Sequence, residues 1–285
     1  MNKQSAWLLN FKFDVYSQTG EDGITQKALA TLPQTDKWCV EFGAGDGECL
    51  SNTRNLIDKQ SYSAVLIESS RDAFRVLQQR FASNPKVVAI NQSVGLTEGN
   101  KLDEILGAVP LPFDFDFLSI DIDGNDYHVW KSFLQYKPKL ICIEFNPTIP
   151  TPVKFVQAPD GSLNQGSSLL SLVELGKEKG YELISVLSYN AFFVDSKYFP
   201  LFQIEDNSPE ALRTDFAHVT YLFSGFDGTI FLRGSRRLLC HGLTIRESKC
   251  QQLPRLLRTY PGNYGKLQRA LFRYYRIYRR ILGTE

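Results

Sequence analysis

The stretch Lys37-Trp38-Cys39-Val40-Glu41-Phe42-Gly43-Ala44-Gly45-Asp46-Gly47-Glu48 decides how the rest of the chain is read. Its first six residues form a short apolar run stopped by glycine, the pattern of a strand buried on both faces. Glycines then alternate at 43, 45 and 47, which lets the backbone turn sharply and lets a ligand lie where a Cβ would otherwise stand. A plain turn needs one glycine rather than three. A dinucleotide fingerprint would run G-x-G-x-x-G into a helix N-terminus that holds a pyrophosphate. Here Glu48 stands where the third glycine belongs, and Glu41 and Asp46 add further acids. A loop of that charge repels a pyrophosphate and suits a ligand with a cationic centre.

Outward from this stretch, apolar runs recur at 63–68, 86–91, 116–121 and 139–144. Helical spacing lies between them, as in 71–81, where Phe74, Leu77 and Phe81 recur. This alternation predicts an α/β fold with a Rossmann-like, doubly wound, mostly parallel sheet covered on both faces. Runs at 181–187 and 191–195, joined by Ser188-Tyr189-Asn190, predict an antiparallel hairpin that finishes the sheet. A second hairpin is expected around Asp227-Gly228. The strands end near acids or amides, on the edge where open α/β sheets bind ligands. Glu68 closes the second run, where a carboxylate accepts the hydroxyls of a ribose. Between the fifth strand and a helix at 168–179 lies a loop over 146–166, punctuated by four prolines and Asp160-Gly161. Loops of that length are uncommon and mark lids or binding loops.

Composition narrows the class. With 43% hydrophobic and 22% charged residues the chain of 285 is neither disordered nor fibrous. No apolar run reaches the roughly 18 residues of a spanning helix. Residues 1–10 lack the apolar stretch of a secretory signal. Cys39, Cys49, Cys142, Cys240 and Cys250 show no CxxC spacing, which argues against a disulfide framework or a zinc ribbon. A cytoplasmic protein is expected.

Several of these stretches resemble a known family. Glu-x-Gly-x-Gly-x-Gly after the first strand, with an acid closing the second, is similar to the cofactor site of class I S-adenosylmethionine methyltransferases. More narrowly, Tyr16-Ser17-Gln18-Thr19-Gly20-Glu21-Asp22-Gly23, Ser51-Asn52-Thr53, the run from Ser119 through Asp121-Ile122-Asp123-Gly124-Asn125 to Tyr127, and Ile143-Glu144 resemble the FkbM-type branch, over roughly residues 14–195. The resemblance implies S-adenosylmethionine as cofactor and hydroxyl methylation, often of sugars or secondary metabolites, hence a small-molecule or glycan acceptor. It implies that Glu41, Gly43, Gly45 and Gly47 contact the methionine end, Glu68 the ribose, and Asn91 and Ser93 the adenine. Asp121 would border the cofactor, and Gln18, Glu21 and Asp22 on an N-terminal arm would close over it.

Asp121 and Asp123 bracket Ile122 and in extended chain point the same way, as do Glu144 and Asn146. Three readings stay open. The four oxygens hold Mg2+ or Mn2+ as a hard divalent cation, an arrangement that also resembles metal-dependent O-methyltransferases. Asp121 or Asp123 acts as a general base on the acceptor hydroxyl, with His128 as a further candidate. Or Asp123 or Asn125 merely caps the helix that begins near Tyr127. A nucleotide-sugar- or NAD-binding oxidoreductase is disfavoured by Glu48, and a non-catalytic binding module by the intact glycine loop.

The domain boundaries expected are an arm over 1–36, the Rossmann-like domain over 37–200, an accessory region over 201–262 and a basic amphipathic helix over 263–285. Residues 230–285 hold 13 Lys or Arg against two acids, a net +11 that leaves the remainder at −10. Along 266–282, Leu267, Leu271, Tyr274, Tyr278 and Ile281 share one helical face, and Lys266, Arg269, Arg273, Arg276 and Arg280 another. Peripheral membrane contact at the inner face and pairing with a second copy are both open for this helix. Nucleic acid is not expected, because the acidic body lacks a basic groove.

Overall fold

The apolar runs become the strands of one sheet. In the computed structural model, which describes residues 5–283, they are β1 (Trp38–Phe42), β2 (Ser63–Glu68), β3 (Val87–Asn91), β4 (Phe117–Ile120) and β5 (Leu140–Glu144). They are followed by β6 (Tyr181–Val186) and β7 (Asn190–Asp195). The order is β3-β2-β1-β4-β5-β7-β6, with β1 to β5 parallel and β7 antiparallel to both its neighbours. This is the doubly wound, Rossmann-like sheet expected, closed by its C-terminal hairpin. The central strands are buried on both faces, with Val40, Leu118 and Ile141 on one and Cys39, Phe117 and Cys142 on the other inaccessible to solvent.

Helices α1 (Glu21–Thr31), α2 (Arg54–Gln60), α3 (Arg71–Arg80), α4 (Leu102–Leu106), α5 (Asp126–Ser132), α6 (Leu169–Glu178) and α7 (Pro209–Leu212) accompany the sheet. Hydroxyl caps start three of them: Ser70 accepts from the Ala73 amide, Ser168 from the Ser171 amide and Ser208 from the Ala211 amide. Trp130 of α5 is fully buried against Phe193 and Tyr181.

The chain forms two compact units, Met1–Asp215 and Phe216–Glu285. The break expected at 200 therefore falls later. Residues 201–215 belong to the first unit because α7 packs on β6 and α6, and the buried Arg213 donates to the carbonyls of Pro147 and Ile149. The second unit contains the hairpin β8 (Thr220–Ser224) and β9 (Ile230–Gly234), then short 3-10 turns, then α8 (Lys266–Ile281). No helix among the described residues is long and apolar enough to cross a membrane, and the five cysteines are free thiols.

The two ends of the sheet treat charge differently. At the amino edge, the buried Lys139 ammonium pairs with Asp116 at 2.8 Å and with Asp36, and Asp116 also accepts from the Asp36 and Lys37 amides. At the carboxyl edge, Asp121, Asp123 and Glu144 gather without such a cation among the described residues.

Candidate functional site

The strand order reverses between β1 and β4, and open α/β sheets bind ligands outside such a switch point. A cavity of about 260 Å³ lies there. Its walls are Gly43, Ile67 and Ser69 after β1 and β2, Gln92-Ser93-Val94 after β3, and Ile122 and Asn125 after β4; Gly161, Leu163 and Asn164 also line it.

The three glycines of the loop have different reasons. All have positive φ. A Cβ on Gly43 would stand 2.0 Å from the Asp121 carbonyl oxygen, and one on Gly47 would strike the Phe81 ring at 2.8 Å. Gly45 alone faces open space. Gly47 is thus a packing glycine and lies outside the cavity lining.

The acids of the loop are also differently employed. Glu41 is buried beneath it, accepting from the Ser51 and Thr53 hydroxyls and from the Asn52 amide at 2.7 Å. Burial raises its carboxyl above the usual range, and those hydrogen bonds oppose the rise. Asp46 and Glu48 both pair with Arg80. Arg80 offsets one of these two charges, so the loop is less negative than its sequence suggests. Glu68 is nearly buried; one oxygen accepts from the Gly45 amide at 2.8 Å and the other from Ser70 at 2.6 Å. It ties the glycine loop to the end of β2.

Ser93 lines the cavity, whereas Asn91 donates to the Glu68 carbonyl at 2.7 Å and braces that turn. On the N-terminal arm, Asp22 accepts from the amides of Val15, Tyr16 and Ser17. Glu21 accepts from the Gln18 and Thr19 amides, the Thr19 hydroxyl and the Asn190 side-chain amide. Glu21 and one oxygen of Asp22 fold their own arm, Asp22 Oδ1 is buried without a hydrogen-bond partner among the described residues, and Gln18 is solvent-exposed.

Asp121, Asp123 and Glu144 converge: one oxygen of each lies within 4.8 Å of the others. Asp121 is raised well above a carboxylate's ordinary range by burial first, then by Asp126 and Asp123; Glu144 is raised by burial, then by Asp121. Among the described residues no ion pair reaches these three. Asp123 adopts φ 57, in the left-handed region. Asp126 holds that turn, accepting from the Ile122 and Gly124 amides at 2.8 Å each, and it is pushed up to about 6 by burial. The capping reading fails. The Asn125 side chain makes no capping bond and instead accepts from Gln157.

Two other expected participants are corrected. The Asn146 oxygen accepts from the Thr148 amide and hydroxyl, and its nitrogen donates to the Gln165 carbonyl, so it shapes the loop rather than joining the carboxylates. His128 shares a 2.8 Å hydrogen bond between its Nε2 and the Gln157 carbonyl, pinning the same loop.

The residue the sequence concealed is Gln157. It is 1% exposed, accepts from the Gln165 and Gly166 amides, and donates to Asn125 and to the Leu163 carbonyl. With Asn164 donating to the Asp123 carbonyl, it folds 157–166 over the cavity. No local pattern marks a glutamine for that task. Ser51-Asn52-Thr53 was visible as a motif, but its partner Glu41 was not.

No family model and no curated protein matches the sequence. Among solved structures, the chain has distant likenesses. A SAM dependent methyltransferase from Aquifex aeolicus is 13% identical over 59% of this chain and 87% of that one, with a TM-score of 0.37. M. jannaschii TYW2 in complex with AdoMet is 14% identical over 64% and 78%, at 0.35, and the CurJ carbon methyltransferase 10% over 64% and 56%, at 0.42. These are likenesses of fold alone.

Proposed function

We propose that this chain is an S-adenosylmethionine-dependent methyltransferase acting on a hydroxyl of a sugar, glycan or secondary metabolite. One observation carries the reading: a cavity at the switch point between β1 and β4, lined by Gly43 and bordered by a loop tied to Glu68, with three clustered carboxylates close by in the chain. The residues fit the cofactor in kind. Gly45 leaves open space, Ser69 and Ser93 offer hydroxyls, and Glu68 stands where a strand-end carboxylate meets a ribose. The FkbM-type resemblance of the sequence supports the choice of a hydroxyl acceptor.

Bound S-adenosylmethionine supplies an electrophilic methyl on a sulfonium and leaves as a neutral thioether. The protein therefore has mainly to align two reactants and accept one proton. A cationic centre beside Asp121 and Glu144 would offset the burial and mutual repulsion that raise their carboxyls. The loop held by Gln157 shields the cavity from water. A carboxylate of the Asp121–Glu144 pair takes the proton of the acceptor hydroxyl.

The convergence of three carboxylates within 4.8 Å favours a second reading of that cluster. Hard oxygen donors of this kind suit Mg2+ or Mn2+, and Asp121, Asp123 and Glu144 would hold the ion and orient the acceptor oxygen. The test of the function is methyl transfer from labelled S-adenosylmethionine to hydroxylated acceptors such as sugars and glycans. Label that appears only on thiol or amine acceptors would overturn the hydroxyl assignment.

A further inference from the structure

Helix α8 spans 16 residues, none of them buried. It contains six Lys or Arg and no acid. Within its own unit it packs through one face only. Gln268 donates to the Leu256 carbonyl, Phe272 sets its ring edge-on to Tyr264 at 5.7 Å, Tyr275 donates to the Gln252 carbonyl, and Arg279 donates to the Gln252 side chain. These four are the half-buried residues of the helix. The apolar stripe of Leu267, Leu271, Tyr274, Tyr278 and Ile281 is a different face. Leu267 is 68% exposed, Tyr274 72% and Ile281 78%. Lys266, Arg269, Arg273, Arg276 and Arg280 are exposed on yet another side.

An apolar helix face is ordinarily covered by protein. Here the unit covers a polar–aromatic face and leaves the aliphatic one in water. A second copy of the helix would bring the same cations and no counter-charge. An anionic bilayer supplies both an apolar interior and counter-charge, and tyrosines within the stripe suit the headgroup level. The hairpin of the same unit adds Leu222, 62% exposed, and Phe226 at its tip, 94% exposed.

We infer that α8 is a peripheral docking helix for an anionic lipid surface, seated through Leu267, Leu271, Tyr274, Tyr278 and Ile281 and retained by its arginines. This holds whether or not the chain transfers methyl groups.

The test is co-sedimentation of the full chain with vesicles of phosphatidylcholine alone and of equal parts phosphatidylcholine and phosphatidylglycerol. Binding is expected to the anionic vesicles and not to the neutral ones. Arg273→Gln/Arg276→Gln should weaken it roughly fivefold for each arginine removed. Leu271→Gln/Tyr274→Gln should abolish it, while both variants keep the far-ultraviolet circular dichroism and thermal transition of the parent. Absence of sedimentation with anionic vesicles at low salt overturns the inference. So does concentration-dependent dimerisation that Leu271→Gln/Tyr274→Gln abolishes while vesicle binding persists, since the stripe then serves a second copy. Binding of duplex DNA that depends on the arginines but not on Leu271 and Tyr274, with no vesicle binding, also overturns it.

Discussion

The backbone of Gly43 lies against that of Asp121, where a Cβ at 43 would stand 2.0 Å from the Asp121 carbonyl oxygen. This contact locks the loop after β1 to the loop after β4 at the point where the strand order reverses. The cavity wall and the first of the clustered carboxylates are thereby set by one close approach.

Gly43→Ala is expected to cost about 2–4 kcal/mol, because a backbone oxygen must move and φ is +74. Gly45→Ala, with open space around its Cβ, should cost only the left-handed strain of about 1–2 kcal/mol. Urea unfolding of the two variants measures the difference. Equal losses would mean that the Gly43–Asp121 approach is not a constraint on the fold.

Asp126 yields a pH dependence. Its folded value, about 6, is above the ordinary 3.8. A carboxyl raised on folding contributes stability that is fully present below the unfolded value and is lost as pH rises through the folded one. The same sign applies to Glu41, which burial also raises. Over about pH 4 to 6, the unfolding free energy of Asp126→Asn should therefore fall less with rising pH than that of the parent. A steeper fall in the variant would reverse the sign assigned here.

Gln157→Ala removes a buried amide that makes four hydrogen bonds, two of them to the Gln165 and Gly166 amides. A loss of about 2–3 kcal/mol is expected. Hydrogen exchange at Gln165 and Gly166 should accelerate more than in the strands of the sheet. Uniform acceleration would make the residue a general core element rather than the fastener of this loop.

The carboxylate cluster separates its two readings by chelation. If Asp121, Asp123 and Glu144 hold a divalent ion, excess chelator should abolish methyl transfer and Mg2+ or Mn2+ should restore it. Full transfer in chelator leaves the proton-accepting role to Asp121 and Glu144. Asp123→Asn should then be nearly silent, whereas with a bound ion it should raise the metal concentration needed.

Much of this was legible in the chain. Buried parallel strands carry continuous apolar runs, so β1 to β5 stand out, and the end of each strand follows from its glycine or acid. The cavity wall at Gly43 and Ser93 and the convergence of Asp121, Asp123 and Glu144 followed from strand adjacency. What was hidden is who satisfies whom. Glu41, Glu21 and Asp22 look like free ligands in sequence, yet Ser51-Asn52-Thr53 and the 15–19 turn occupy Glu41, Glu21 and one oxygen of Asp22. Asp46 and Glu48 look like an acidic loop until Arg80, on the next helix but one, is folded beside them. His128, Asn146 and Gln157 meet only because the 146–166 loop returns over α5, and no spacing encodes that return.

The central claim is that the cavity beside Gly43 takes an adenosyl-methionine cofactor, and calorimetric titration with S-adenosylhomocysteine and with NAD tests it most directly. The account predicts a Kd on the order of micromolar for S-adenosylhomocysteine, weakened by about 1–3 kcal/mol in Glu68→Ala, and no heat from NAD. Binding of NAD with no heat from S-adenosylhomocysteine would contradict it.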